Sequence, residues 1–199
     1  MHNYKSLLGE STGIYKEKGS KFIAYSVPVI DEIDFKKQLN FIKKKHHDAR
    51  HFCYAYRLLP DGTNYRYNDD GEPNNSAGKP ILGQIDSFSL TYTLIVVVRY
   101  FGGTKLGVGG LIKAYKEAAK DAIANNKIIT KEITSTFLIK FNYSDMNFIM
   151  NLAKELKLTV LKKELEIHCQ FTVKCPIKNK QEFELKLKNR LLSYKEMED

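Results

Sequence analysis

The chain has 199 residues, 43% of them hydrophobic and 12% aromatic, which is enough apolar material for one large or two small globular cores and excludes disorder as the expectation. Its 32 Lys and Arg against 23 Asp and Glu give a net charge of +9, a balance that favours acidic partners such as nucleic acid. Cys53, Cys169 and Cys175 show no C-x-x-C or metal-type spacing, and neither a signal-like N-terminus nor a long uncharged apolar run occurs. The expectation is therefore a cytoplasmic protein with no disulfide framework, no metal, no cofactor and no membrane partner.

Taken in order, Thr12 to Ser20 and Lys21 to Ile30 read as two strands broken at Gly19-Ser20. Asp31 opens a helix whose buried face is Phe35, Leu39 and Ile42 and whose closing Lys43-Lys44-Lys45 suits the negative end of the dipole. His46, His47 and His51 invite a metal, but a strand starting at His51 removes the helical spacing that a ligand pair needs. From His51 the pattern alternates: Phe52, Tyr54, Tyr56 and Leu58 face one way, and Cys53, Ala55 and Arg57 the other. Pro60-Asp61-Gly62-Thr63 turns the chain back through Asn64 to Tyr67, which puts Arg57 and Arg66 on one hairpin.

Asn68 to Pro80 is a long loop carrying Asp69, Asp70 and Glu72. These carboxylates either bind a cation or act as acid and base, or they accept backbone N–H bonds, neutralise arginines and hold a lid in place. Pro80 then starts a helix that buries Ile81, Leu82, Ile85 and Phe88.

Leu94 to Val98 reads as a strand buried on both faces, followed by the glycine run Gly102, Gly103, Gly107, Gly109 and Gly110. A helix follows with Leu111, Ile112, Tyr115, Ala118, Ala119, Ala122 and Ile123 on its inner face. Lys105 just before this helix and Lys113 in or near its first turn sit where the macrodipole disfavours positive charge, and a bound phosphate would offset that. A Walker A loop is excluded because Val108 and Gly109 stand where Lys and Ser/Thr belong, and a dinucleotide loop is excluded because Ile112 stands at the third glycine.

The run Arg99-Tyr100-Phe101-Gly102-Gly103, with Leu106-Gly107-x-Gly109-Gly110-Leu111-x-Lys113-Ala114-Tyr115, resembles the signature of the YigZ/IMPACT family. Lys18-Gly19-Ser20-Lys21-Phe22-Ile23-Ala24, Ala49-Arg50-His51-x-Cys53-Tyr54-Ala55-Tyr56, Asp69-Asp70-Gly71-Glu72-Pro73 and Ala77-Gly78-Lys79-Pro80-Ile81-Leu82 agree with it in order. Asn75-Ser76 replaces the family's usual Gly-Thr pair, and Asn tolerates the left-handed backbone that a glycine there would supply. The resemblance implies an α+β fold in two domains. Residues 1–134 resemble the second domain of ribosomal protein S5 and domain IV of elongation factor G. Residues 135–199 resemble domain V of elongation factor G, a ferredoxin-like fold. In the second part the residues themselves read as a strand at Phe137 to Phe141, a helix from Met146 to Leu156, strands at Leu158 to Leu161 and Leu165 to Val173, and a helix through Phe183, Leu187 and Leu191. The closing strand of a ferredoxin-like sheet is expected to be short or absent, and His168 and Cys169 read as ordinary strand residues. In the first domain the order of elements suggests helices on one face of a mixed sheet.

The functional expectation is a translation-associated RNA- or ribosome-binding protein. Arg50, Arg57, Arg66, Arg99, Lys105 and Lys113, with Gly102, Gly103, Gly107, Gly109 and Gly110, meet phosphates, while Tyr54, Tyr65, Tyr100 or Phe101 stack on bases. The resemblance adds that eukaryotic members regulate translation by restraining the amino-acid starvation kinase pathway through a scaffold protein. That likeness rests mainly on the first domain, so the scaffold does not carry over. One alternative is a small hydrolase or transferase acting on a phosphorylated or nucleotide-like ligand, for which no nucleophile paired with a base is visible; another is a protein-binding module without chemistry, whose partner would be a protein in translation control.

Overall fold

The computed structural model describes residues 2–166 and 169–197. The chain divides into two compact units, one spanning Asn3–Lys131 and a second from Glu132 onward that takes in His2.

The first unit is built on a five-stranded sheet of β2 (Ser11–Glu17), β3 (Ser20–Pro28), β4 (His51–Leu58), β5 (Asn64–Asn68) and β6 (Thr93–Tyr100), in the order β2-β3-β6-β4-β5. Every neighbouring pair is antiparallel, so the expectation of a mixed sheet is corrected. Lys18 and Gly19 both have positive φ, 45° and 77°, the backbone of a two-residue hairpin whose twist matches its strands. A short strand β1 (Asn3–Leu7), not apparent in the residue pattern, pairs with β7 (Ile128–Glu132).

Helices cover both faces of this sheet rather than one. On one side α2 (Gly78–Ser87) and α3 (Gly107–Ala124) enclose Phe22, Ala24, Cys53, Ala55, Ile95 and Val97, with Tyr115 fully buried among them. On the other side α1 (Glu32–Lys45) sets Phe35 and Ile42 against Tyr25, Phe52, Tyr54, Tyr56, Leu94 and Val96. The alternation along β4 explains this: its even-numbered residues face α1 and its odd-numbered ones face α2 and α3, so a fully buried sheet needs both layers. Asp31 caps α1, its carboxylate accepting the Asp34 N–H at 2.7 Å. The α3 helix starts at Gly107, four residues before the apolar spacing indicates, and Ile112 is 39% exposed rather than on its inner face.

The second unit is β8 (Thr134–Phe141), α4 (Met146–Glu155), β9 (Thr159–Leu165), β10 (Cys169–Pro176), α5 (Lys180–Asn189) and β11 (Ser193–Met197). Its antiparallel sheet runs β11-β8-β10-β9, the ferredoxin-like order, and the closing strand is present. Leu165 belongs to β9 and is exposed, whereas Cys169, Phe171 and Val173 of β10 are buried, so the single strand read over Leu165 to Val173 is two. His168 lies outside the described residues. The three cysteines are free and buried, and no helix among the described residues is long and apolar enough to cross a membrane.

Candidate nucleic-acid interface

Strand register gathers the loops of the first unit at one end of its sheet. Lys21 stands opposite Tyr100, His51 opposite Arg99, and Asn68 opposite Tyr54, so the turn at Lys18-Gly19, the approach to β4, the loop after β5 and the exit of β6 share that end. A buried polar hub ties them together. Glu72 Oε1 accepts from Arg99 Nη1 at 2.5 Å and from the Tyr115 hydroxyl at 2.8 Å, and the Arg99 guanidinium lies over the Phe22 ring at 5.5 Å. The Cys53 thiol sits 2.9 Å from the Asp69 carbonyl and 3.3 Å from the Tyr115 hydroxyl, so its one proton serves one acceptor at a time. Burial pushes both the thiol and the Tyr115 hydroxyl well above their usual ranges, and both stay protonated donors.

The long loop is held by its own carboxylates. Asp69 accepts the N–H groups of Asn75, Ala77 and Gly78 at 2.9, 3.0 and 2.8 Å, which caps α2 where Ala77 has no side chain to do so. Asp70 accepts the Phe52 N–H at 2.6 Å. Asn75 has φ +61°, the left-handed conformation that the substitution for glycine requires. Among the described residues no group of His, Cys, Asp and Glu is arranged to hold a metal ion.

The glycine loop is anchored at its first turn and open beyond it. A Cβ on Gly102 would lie 1.9 Å from the carbonyl carbon of Gly19, and the Gly102 N–H donates to Ser20 Oγ at 3.1 Å, so the loop leaves the sheet pressed against the β2–β3 turn. Further along, Leu106 offers no side-chain cap and the first turn of α3 has no acidic residue, which leaves its N–H groups unmet by side chains. Beside the loop a polar chain crosses the end of the sheet. Tyr25 donates to His46 Nε2 at 2.6 Å, His46 Nδ1 donates to the Tyr100 hydroxyl at 2.9 Å, and that hydroxyl donates to Asp48 Oδ1 at 2.9 Å. The direction follows from Asp48, whose ionised carboxylate only accepts; the Tyr100 bond holds it below the usual carboxylate range. Burial, helped by Lys45, lowers His46 below the ordinary imidazole value.

The expected contact residues are not all at this end. Arg50, Gly102, Gly103, Lys105, Gly107, Gly109 and Lys113 are exposed there, with Gly110 and Tyr100 half-buried. Lys113 occupies the second turn of α3, because the helix begins at Gly107, so the dipole argument holds for Lys105 alone. Arg99 is 7% exposed and its charge is committed to Glu72, which makes it a strut of the hub rather than a free contact for phosphate. Arg57 and Arg66 share the β4–β5 hairpin on opposite faces: Arg57 pairs with Asp86 at 2.5 Å and stacks on Tyr65, while Arg66 is exposed beside Tyr56. Sequence reasoning passed over Lys18, Lys21 and Lys79, which are exposed at the same end. Their signal was position, since each lies inside a loop motif. Lys18, Lys21, Arg50, Lys79, Lys105 and Lys113 form no ion pair among the described residues.

An antiparallel sheet whose loops converge on an Arg–Glu–Tyr hub, followed by a ferredoxin-like unit, defines a class that comparison with known proteins identifies. Residues 18–123 match the Impact N-terminal domain. The chain belongs to the IMPACT family. It is 34% identical over 136 residues to the IMPACT family member YvyE of Bacillus subtilis, covering 68% of this chain and 63% of that protein's length. It is 29% identical over 178 residues to the IMPACT family member YigZ of Escherichia coli, covering 88% of this chain and 87% of that one. A crystal structure of a hypothetical protein, 27% identical, overlays on 100% of this chain and 99% of its own with a TM-score of 0.75.

Proposed function

We propose that the protein is a translation-associated RNA- or ribosome-binding protein of the cytoplasm that meets phosphates with the loop-bearing end of its first unit. The observation that carries this reading is the set of exposed cations Lys18, Lys21, Arg50, Lys79, Lys105 and Lys113, without ion pairs among the described residues, around an uncapped helix start. Unpaired surface charge gains little for the fold, whereas a phosphate backbone rewards it through counterion release. The resemblance to the YigZ/IMPACT family, whose eukaryotic members act in translation control, supports the same direction. Asp69, Asp70 and Glu72 are engaged in holding the loop and the hub, which weighs against a hydrolase or transferase that would need them as acid and base.

The test is binding of ribosomes and of single-stranded RNA across a salt series, with the protein beside its Lys105→Ala/Lys113→Ala variant. The expected result is a linear fall of log affinity with log salt, made shallower in the variant by about 0.7 per lost phosphate contact. No binding at low salt, or a slope that the two substitutions leave unchanged, would overturn the assignment.

A further inference from the structure

Against the loops of the first unit lies a cleft of about 310 Å³ lined by Asp48, Arg50, His51, Arg99, Tyr100 and Phe101, the small end of the range in which ligand pockets fall; the Asp48 carboxylate is engaged by the Tyr100 hydroxyl. Phe101 follows β6 directly and is 58% exposed, yet it is not loose: the Arg99 guanidinium lies over its ring at 5.6 Å. That guanidinium is fixed from below by Phe22 and from the side by Glu72. The ring is thus a half-exposed aromatic on a rigid cationic support, with its remaining surface turned outward. The walls of the cleft are polar. His51 Nδ1 is 2.9 Å from the Asp70 carbonyl, to which it donates; Arg99 Nε is buried without a partner among the described residues; Arg50 is exposed at the rim.

We infer that this cleft takes one unstacked base of a single-stranded RNA, with the base stacking on Phe101 and Arg50 meeting the adjoining phosphate. The inference rests on the RNA-binding reading and sharpens it, because surface lysines alone attract single strands and duplexes alike. A stacking cleft serves only bases that are free of their own stack. The cations around the rim, Lys21 opposite Tyr100 and Lys105 beyond the loop, match the charge of the strand that would carry the base.

The chain has no tryptophan, so Phe101→Trp installs a single tryptophan at the platform, which can be excited at a wavelength that leaves the tyrosines dark. A 12-nucleotide single-stranded RNA and the same sequence as a duplex are titrated into this variant, and their affinities are measured for the wild type and Phe101→Leu. The single strand is expected to quench the tryptophan and the duplex to leave it unchanged. Phe101→Leu is expected to lose about 5- to 150-fold in single-strand affinity, the range for one base–aromatic stack, with the salt slope and duplex affinity unchanged. If the wild type binds RNA but Phe101→Leu binds as well as the wild type, or if the duplex quenches as strongly, the base cleft is overturned while the phosphate-binding reading stands. If the wild type binds neither RNA at low salt, the underlying reading fails first.

Discussion

The two units differ in where their positive charge is paired. In the second unit, several cations are tied into ion pairs: Lys180 reaches Glu196 at 2.7 Å, Arg190 reaches Asp145 at 3.0 Å, Lys178 reaches Glu132 at 2.5 Å, and Lys186 pairs with Glu155 and Glu182. Most of these pairs join a helix or its approach to a neighbouring element. In the first unit, residues 1–131 carry 20 of the 32 Lys and Arg but only 13 of the 23 Asp and Glu, and the exposed lysines and Arg50 at the loop end form no ion pair among the described residues. The one tight pair at that end, Arg99 with Glu72, is buried and sets the loops in place. At the loop end of the first unit the surface cations are displayed rather than paired, as a contact surface there requires.

The sharpest way to break this contrast is to remove the acidic half of the pair. Glu72→Leu leaves Arg99 charged and desolvated and takes the acceptor from Tyr115, so a loss of about 3–5 kcal/mol is expected in urea unfolding of the full chain. A loss under 1 kcal/mol would mean that the hub does not hold this end together.

Much of the scaffold could be read from the residues, and the reason is local. The alternation along β4, the Asp31 cap and the left-handed position at Asn75 are each decided by a few neighbours, and each stands as the residue types dictate. The hub could not be read that way. Glu72, Arg99 and Tyr115 lie on three elements and meet only because the β3–β6–β4 register brings their segments to one end. An arginine just before a glycine loop therefore looked like an anion contact, when its partner waited 27 residues upstream. The start of α3 was missed for a related reason: glycines usually mark the end of regular structure, but Gly107 leads into the helix with φ +72°, a backbone that favours glycine, and Gly109 and Gly110 are tolerated in the first helical turn. The strand β1 is short and pairs with β7, more than a hundred residues away in sequence. The acidic loop was legible in kind, since accepting N–H bonds was one of its two readings, but its particular donors depend on the turn geometry.

A smaller effect probes the polar chain beside the cleft. His46 is lowered in the folded state by burial and by Lys45, so the unfolded chain takes up its proton first as the pH drops. The stability that neutral His46 contributes is therefore complete above the ordinary histidine value near 6.5, is lost as the pH falls through it, and stops falling once the pH is below the folded value. Unfolding free energies measured from pH 8 to pH 5 should show this decline in the wild type and a flatter course in His46→Gln. An equal decline in both would assign the pH dependence to other groups.

The smallest expected effect tests the other side of the comparison. Lys180 and Glu196 bridge α5 and β11 at the surface, with side chains 27% and 43% exposed, so solvent screens their attraction. Lys180→Ala should lower stability by only about 0.2–1 kcal/mol, part of it from the contact of the Lys180 side chain with the Phe137 ring, and the loss should shrink at high salt. The same variant should leave the salt slope of RNA binding where it was, because this lysine is already neutralised within its own unit. If Lys180→Ala instead lowers that slope as Lys105→Ala does, Lys180 itself meets phosphate, and the contact surface extends beyond the loop end of the first unit.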